Sequence, residues 1–327
     1  MLKTAVIDLD FCKYAAAAVG EERSILVVHK QSGDERKFKT RTEFYGRGKN
    51  KDGGWLGEVN LPRTTPYTVD DFIITDVQTP QPLENTLHCA KTMVENVLVK
   101  SGLTRYKAFL GKGDSFRVDR STLLKYKGQR GALLKPIHLD AVTDYLEKKF
   151  NAEIVTHYEV DDKCVMECYK QPRNILVGID KDFYGCPVNF FNAAKNAGTI
   201  NCDTFGKLHL NEKKEVKGYG RMFLYYQTCS ADASDNYSAS CMSDVKWGPI
   251  AAYNALVDCK NDKEAWKAIE TIFKKLYPEP KEVVGWRGDS IAIDWQYVLN
   301  ECFDMARMLR FENDVVVATD VLKLFNK

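Results

Sequence analysis

The sequence predicts an α/β fold: a mostly parallel sheet covered by helices on both faces, followed by a helical C-terminal third. Two patterns carry that expectation. From Thr4 to Ile179, short apolar runs alternate with longer stretches of helical spacing. Such alternation sets strands side by side and parallel, with helices as the crossovers. Beyond residue 229 the strand signals fade and helical spacing takes over.

The elements follow in order. Thr4–Asp8 (TAVID) is an apolar run that ends in a carboxylate. Residues 30–63 hold nine Lys/Arg against five Asp/Glu and include EFYGRGKNKDGGWLGE. Turn residues punctuate this stretch, so a basic, hairpin-like insertion at about 30–80 is expected. Leu83–Lys100 has helical spacing, and Tyr106–Leu110 (YKAFL) reads as a strand. Residues 111–135 are basic, with seven Lys/Arg and two Asp. His138–Phe150 is an amphipathic helix by the spacing of Leu139, Val142, Tyr145, Leu146 and Phe150. Glu153–Val155 is a strand, Asp161–Tyr169 a helix, and Asn174–Ile179 (NILVGI) a buried strand that runs into Asp180. Ile250–Leu276 and Trp295–Phe311 read as helices. The resulting division is an α/β core over 1–229 and a helical region over 230–327.

Composition bounds the class. A chain of 327 residues with 44% hydrophobic and 28% charged residues suits a large α/β domain with a smaller partner and excludes wholesale disorder. No apolar run approaches the roughly 18 residues of a membrane span. Carboxylates in MLKTAVIDLD interrupt what would be a leader's apolar core, so a cytoplasmic protein is expected. The ten cysteines form no CxxC and read as reduced thiols. A net charge of +2 excludes a uniformly basic coat but not local segregation.

The acidic residues fall where chemistry would need them. Asp8 ends the first strand, with Asp10 two residues on. Asp114 follows YKAFL; Glu159, Asp161 and Asp162 lie between a strand and its helix; Asp180 and Asp182 follow NILVGI; Asp232 and Asp235 open the helical region. Ligands of an open parallel sheet bind outside the carboxyl ends of its strands. Separate junctions thus aim carboxylates at one crevice, where they repel one another unless cations neutralise them. Hard Mg²⁺ or Mn²⁺ suits an all-oxygen site, and two such ions can hydrolyse a phosphodiester. The bland reading of any one Asp after a strand is a turn former or helix cap. A sharper competitor is Asp8-Leu-Asp10, which resembles the nucleophile motif of haloacid-dehalogenase phosphatases. That family has no use for the basic YKGQRG stretch or for Glu159, Asp161 and Asp162.

Taken together, VIDLDF (6–11), GKGDSFRVD (111–119), LKYKGQR (124–130), YEVDDKC (158–164), GIDKDF (178–183) and SADASDNY (230–237) resemble the 5′-nuclease superfamily of flap endonucleases and 5′→3′ exonucleases, in the family's order. MARMLRF (305–311) is most similar to the podophage-type exonucleases. The resemblance implies a Rossmann-like (PIN-like) core with a C-terminal DNA-binding region of helix–two-turn–helix type. It implies one metal group at Asp8, Asp114, Glu159, Asp161 and Asp162, and a second at Asp180, Asp182, Asp232 and Asp235. Lys127 and Arg130 match the pair that contacts the scissile phosphate. Arg117, Lys125, Tyr126, Lys246 and Gly248 are the further DNA-binding candidates.

Two departures shape the expectation. The segment Ser238–Pro249 has few of the family's glycines, which counts against its K⁺ site. Only about Gly131–Ile137 is left for an arch between the basic motif and the next core helix, too little for two helices. The aromatic, basic insertion could serve as a clamp instead. The expected activity is Mg²⁺-dependent 5′→3′ exonuclease action on duplex DNA with 5′ ends, nicks or flaps. Flap cleavage and RNase H-like action on RNA–DNA hybrids are included, and no membrane partner is expected. The alternative is a non-catalytic, structure-specific DNA-binding protein.

Overall fold

The computed structural model describes residues 3–48, 53–195 and 197–325. β1 (Ala5–Asp8) is buried along its whole length, as a central strand should be, and α1 (Asp10–Val19) follows it. The expected hairpin-like insertion is present and is larger than one hairpin. β2 (Glu21–His29), β3 (Glu35–Phe38) and, after short helices α2 (Arg41–Tyr45) and α3 (Trp55–Asn60), β4 (Phe72–Pro80) form an antiparallel sheet in the order β3-β2-β4. This part has a core of its own, made of Ile25, Val27, Phe38, Phe44, Leu56 and Phe72. Tyr45, Trp55 and Tyr67 pack against it, and the Arg36 guanidinium lies over the Phe38 and Trp55 rings. The aromatic residues offered as a clamp therefore face inward. Burying them is what lets so polar a segment hold a shape.

α4 (Leu83–Ser101) leads to β5 (Tyr106–Ser115), the short α5 (Phe116–Arg120), α6 (Leu139–Phe150), β6 (Glu153–His157), α7 (Val160–Lys170), β7 (Ile175–Gly178), β8 (Asn189–Asn192) and β9 (Ile200–Asn201). The sheet runs β6-β5-β1-β7-β8-β9, parallel throughout except for β9, which is antiparallel to β8. This is the mostly parallel, helix-flanked sheet the alternation predicts. α7 lies on β1, β5 and β7, and its Val160, Cys164, Val165 and Cys168 pack with Val6, Phe109 and Leu176. β5 runs further than the YKAFL run suggests. Its register against β6 shifts between Gly111 and Ser115, and Gly113 inside the irregularity has φ +99°, which a side chain would strain.

The rest of the chain contains β10 (Lys207–Leu210), β11 (Val216–Tyr219), α8 (Arg221–Cys229), β12 (Ala231–Asp232), β13 (Tyr237–Ser238), α9 (Pro249–Leu256), α10 (Asp262–Leu276), β14 (Lys281–Val284), β15 (Ser290–Ile293), α11 (Trp295–Ala306) and α12 (Ala318–Phe325). The helical run expected over 250–276 is two helices. The Asn261 side chain accepts from the Glu264 amide and caps a new start, a contact worth about 1 kcal/mol. The region is not wholly helical, because β14 and β15 form an antiparallel hairpin turned at Gly288, φ +91°. α11 stops at Ala306 and not at Phe311. The Arg307 amide still bonds the Phe303 carbonyl, but the Leu309 amide donates to Asp162 across the chain and so does not continue the helix.

Contacts divide the chain into two compact units. One comprises residues 1–11, 94–134 and 146–327; the other comprises 12–93 and 135–145. Residues 230–327 belong to the first, with the six-stranded sheet. Among the described residues, no helix is long and apolar enough to cross a membrane.

Candidate functional site

β1, β5, β6 and β7 are parallel neighbours, so their carboxyl ends share one edge of the sheet. Asp8 ends β1 and is 5% exposed; its Oδ1 accepts the Asp10 amide at 2.8 Å. Asp180 repeats the turn after β7, with Oδ1 accepting the Asp182 amide at 2.9 Å. In both, a short side chain closes the strand-to-helix turn and holds a carboxylate at the edge. Adjacent parallel strands lie about 4.8 Å apart, which brings the ends of β1 and β7 together. The Asp10 carboxylate accepts the Gly111 amide at 2.9 Å and so ties the start of α1 to β5. Asp114 lies in the irregular part of β5, but its side chain is outside the described part of the structure.

Electrostatics marks the crowd. Burial pushes the Asp161 carboxyl, in the first turn of α7, well above the ordinary range, and the charges of Asp8, Asp180 and Glu159 push it further. Asp182 is pushed up to about 7 by burial and by Asp180, against the pull of Lys181. Like charges this close cannot all ionise without a compensating cation.

A basic side faces them. Lys127 has a left-handed backbone, φ +53°, and its amide donates to the Asp235 carbonyl at 3.0 Å. Its ammonium donates to Glu159 Oε1 and lies 3.8 Å from Asp235 Oδ1. Arg130 is exposed, with Nη2 3.5 Å from Asp235 Oδ1. Gln129 donates to the Ala233 carbonyl, and Asn236 donates to the Lys125 carbonyl at 2.8 Å. The 125–130 and 233–236 loops, a hundred residues apart, are thus stitched together. Despite burial, Arg117 and Lys127 hold the Glu159 carboxyl below its usual range. Asp232 is brought to about 2, because its bonds from Lys181 and Ser234 outweigh burial. Asp235 is raised by burial, which Lys127 only partly offsets.

Several assignments change. Asp162, expected among the metal carboxylates, has no exposure. Arg117 grips both its oxygens at 2.5 and 2.9 Å, and the Leu309 amide adds a third bond at 2.8 Å. Three of its roughly four lone-pair sites are thus taken up within the fold. Arg117, expected on DNA, is itself only 2% exposed and also bonds Glu159 and the Arg307 carbonyl. Tyr126 is likewise buried, and its hydroxyl donates to Glu159 at 2.8 Å. Asp232 is partly the turn former of the bland reading, since it accepts the Ser234 amide and hydroxyl. Lys125 and Lys246 remain exposed, Lys125 over the Trp286 ring. Gly248 caps α9 beside open space.

Sequence reasoning missed several supports. Lys181 sits inside GIDKDF and binds Asp182 and Asp232, a role its place between two acids could have signalled. Gln227, buried on α8, donates to Asp182 at 2.5 Å, and nothing in the sequence marks it. The β14–β15 turn holds the end of α5: Trp286 donates to the Ser121 carbonyl, and Arg287 to those of Val118, Asp119 and Ser121.

The donor set fits a hard divalent ion in its chemistry, since all its members are carboxylate oxygens. Cys164 and Cys186 lie nearby, but burial pushes both thiols well up and keeps them neutral. Among the described residues, no three His, Cys, Asp or Glu side chains converge closely enough to hold one ion. Glu159, Asp162 and Asp232 are engaged by Lys127, Arg117 and Lys181. Asp8, Asp161 and Asp180 gather at the crowded edge, and Asp182, which Gln227 and Lys181 also bond, lies with them. No protein-family model matches the chain, and a search of curated proteins finds no match either.

Proposed function

We propose that this protein is a divalent-metal-dependent 5′→3′ exonuclease of duplex DNA, with a PIN-like core and a DNA-binding C-terminal region. Flap cleavage and RNase H-like action belong to the same site. One observation carries the reading. Asp8, Asp161 and Asp180 come from separate elements at one edge of a parallel sheet, where burial and then the charges of Asp8 and Asp180 raise the Asp161 carboxyl, with Lys127 and Arg130 on the neighbouring loop. The 5′ polarity rests on the sequence resemblance.

Asp8, Asp161, Asp180 and Asp182 would hold the ions, which when bound neutralise the carboxylates and supply Lewis-acid charge. The chain's own groups do the rest. Lys127 offers a point charge and Arg130 a fork for phosphate oxygens. Both are paired with carboxylates, so phosphate takes over partners already aligned. Arg117 and Tyr126, from beneath, fix the Glu159 carboxylate on which Lys127 is oriented.

The test is duplex DNA labelled at either 5′ or 3′ ends, incubated with Mg²⁺ or EDTA. The reading expects mono- and short oligonucleotides released from 5′ ends with Mg²⁺ only. Release in EDTA, or from 3′ ends alone, overturns it. Tight binding without cleavage would favour the non-catalytic alternative. Nicked, blunt and flapped substrates compared side by side rank the activities.

A further inference from the structure

A hollow of about 210 Å³ opens between α5, the end of β6 and the 309–313 turn. We propose that it is a pocket for one unpaired nucleobase of the DNA substrate, an inference that rests on the nuclease reading above. Phe116 lines it and is 6% exposed. The His157 and Tyr158 rings flank it, with centroids 6.5 and 6.0 Å from Phe116 and 5.3 Å from each other. The rings are tilted 49°, 64° and 72° to one another, so a flat heterocycle can lie face-on to one of them and edge-on to the others. The volume is below the roughly 300 Å³ at which drug-sized pockets begin, so it suits a single ring system.

The polar groups favour a base over a phosphate. Arg120 is the cation of the lining, and its charge is committed: it pairs with Asp304 at 2.9 Å and lies over the Phe116 ring at 4.7 Å. Asp119 places a carboxylate on the rim, which repels phosphate and accepts from an exocyclic amine. Asn313 supplies an amide that donates and accepts, as a base edge does. An unpaired base is required, because a base within a duplex has its faces covered by its neighbours.

The backbone points the same way. His157 and Asn313 have φ +71° and +59°, and both border this hollow. A non-glycine residue with a left-handed backbone is uncommon, and such conformations gather at ligand sites. The pocket is also next to the proposed chemistry. Phe116 precedes Arg117, and Tyr158 precedes Glu159, so a seated base would bear on the two residues that align Lys127.

The experiment uses the full chain in EDTA and a nicked duplex with a one-nucleotide 5′ flap. The flap nucleotide carries 2-aminopurine or is abasic. His157→Gly and Asn313→Gly remove the side chains, and glycine keeps both left-handed turns without strain. The proposal expects each variant to bind the base-bearing flap roughly five- to hundredfold more weakly, with loss of 2-aminopurine quenching. The abasic flap should bind the wild type equally weakly and the His157→Gly variant no worse than that, because both changes remove one contact. If base-bearing and abasic flaps bind the wild type alike, or if the two losses add in full, the pocket is not a base site. The abasic comparison leaves the protein unaltered and so decides the matter even if a variant melts early. If the wild type binds none of these DNAs, the nuclease reading falls and the pocket with it. If it binds DNA in EDTA and cuts it with Mg²⁺ but ignores both changes, the pocket alone falls.

Discussion

Removing Arg117 should unfold this protein at a much lower temperature, and the structure sets the size of the effect. The guanidinium is 2% exposed and makes four bonds: two to Asp162, one to Glu159 and one to the Arg307 carbonyl. Arg117→Ala leaves Asp162, which has no exposure at all, as a buried charge with only the Leu309 amide. Breaking a buried pair in this way costs about 3–5 kcal/mol, against a total stability of about 5–15 kcal/mol. At roughly 2 °C per kcal/mol for a chain of this size, the midpoint should fall by about 6–10 °C. Thermal or urea unfolding of the chelator-treated protein measures it. The companion variant Arg117→Met/Asp162→Leu replaces the pair by apolar groups and should regain part of the loss. It will not regain all of it, because the Leu309 amide and Arg307 carbonyl then lack partners at about 1–3 kcal/mol each. Wild-type stability in Arg117→Ala would refute the buried role, and so would a double variant no better than the single.

Lys127→Ala should lower the single-turnover rate at saturating DNA by about 10²–10³, the usual cost of one transition-state donor; a weaker Kd with an unchanged saturated rate would make Lys127 part of the general electrostatic footprint. Asp182 has its folded carboxyl raised from 3.8 to about 7, so the fold favours its neutral form, and the stability this contributes is full below about pH 4 and lost as pH rises through about 7. In EDTA, Asp182→Asn should therefore melt above the wild type at pH 8 and level with it below pH 4, and a wild type that melts higher at pH 8 would contradict the crowding. The 131–137 segment has only the end of a 3₁₀ turn before α6 begins at Leu139. A 5′ flap blocked at its tip by a bulky group should accordingly be cut about as fast as an open one, whereas collapse of that cleavage would show obligatory threading.

The parallel sheet was legible because its signals are local. TAVID, YKAFL and NILVGI are short apolar runs of the kind that fills the middle of a parallel sheet, and their alternation with helical spacing points to their pairing with one another. The placement of Asp8, Asp161 and Asp180 at one edge follows too, since parallel strands end on the same side. What the sequence could not determine was which carboxylates remain for a ligand. Asp161 and Asp162 are adjacent in the chain and chemically identical. A helix turns by about 100° per residue, so one faces the crowded edge and the other faces Arg117. That choice depends on Arg117, 45 residues away, and on Leu309, 147 residues away. The aromatic residues of the insertion show the same limit. Trp55, Phe44 and Phe38 read equally well as a clamp or as a core, and only the closing of β2 on β3 and β4 turned them inward. Burial and pairing are properties of where distant segments meet, and hydrophobic period and residue type record them only when one element settles the matter by itself.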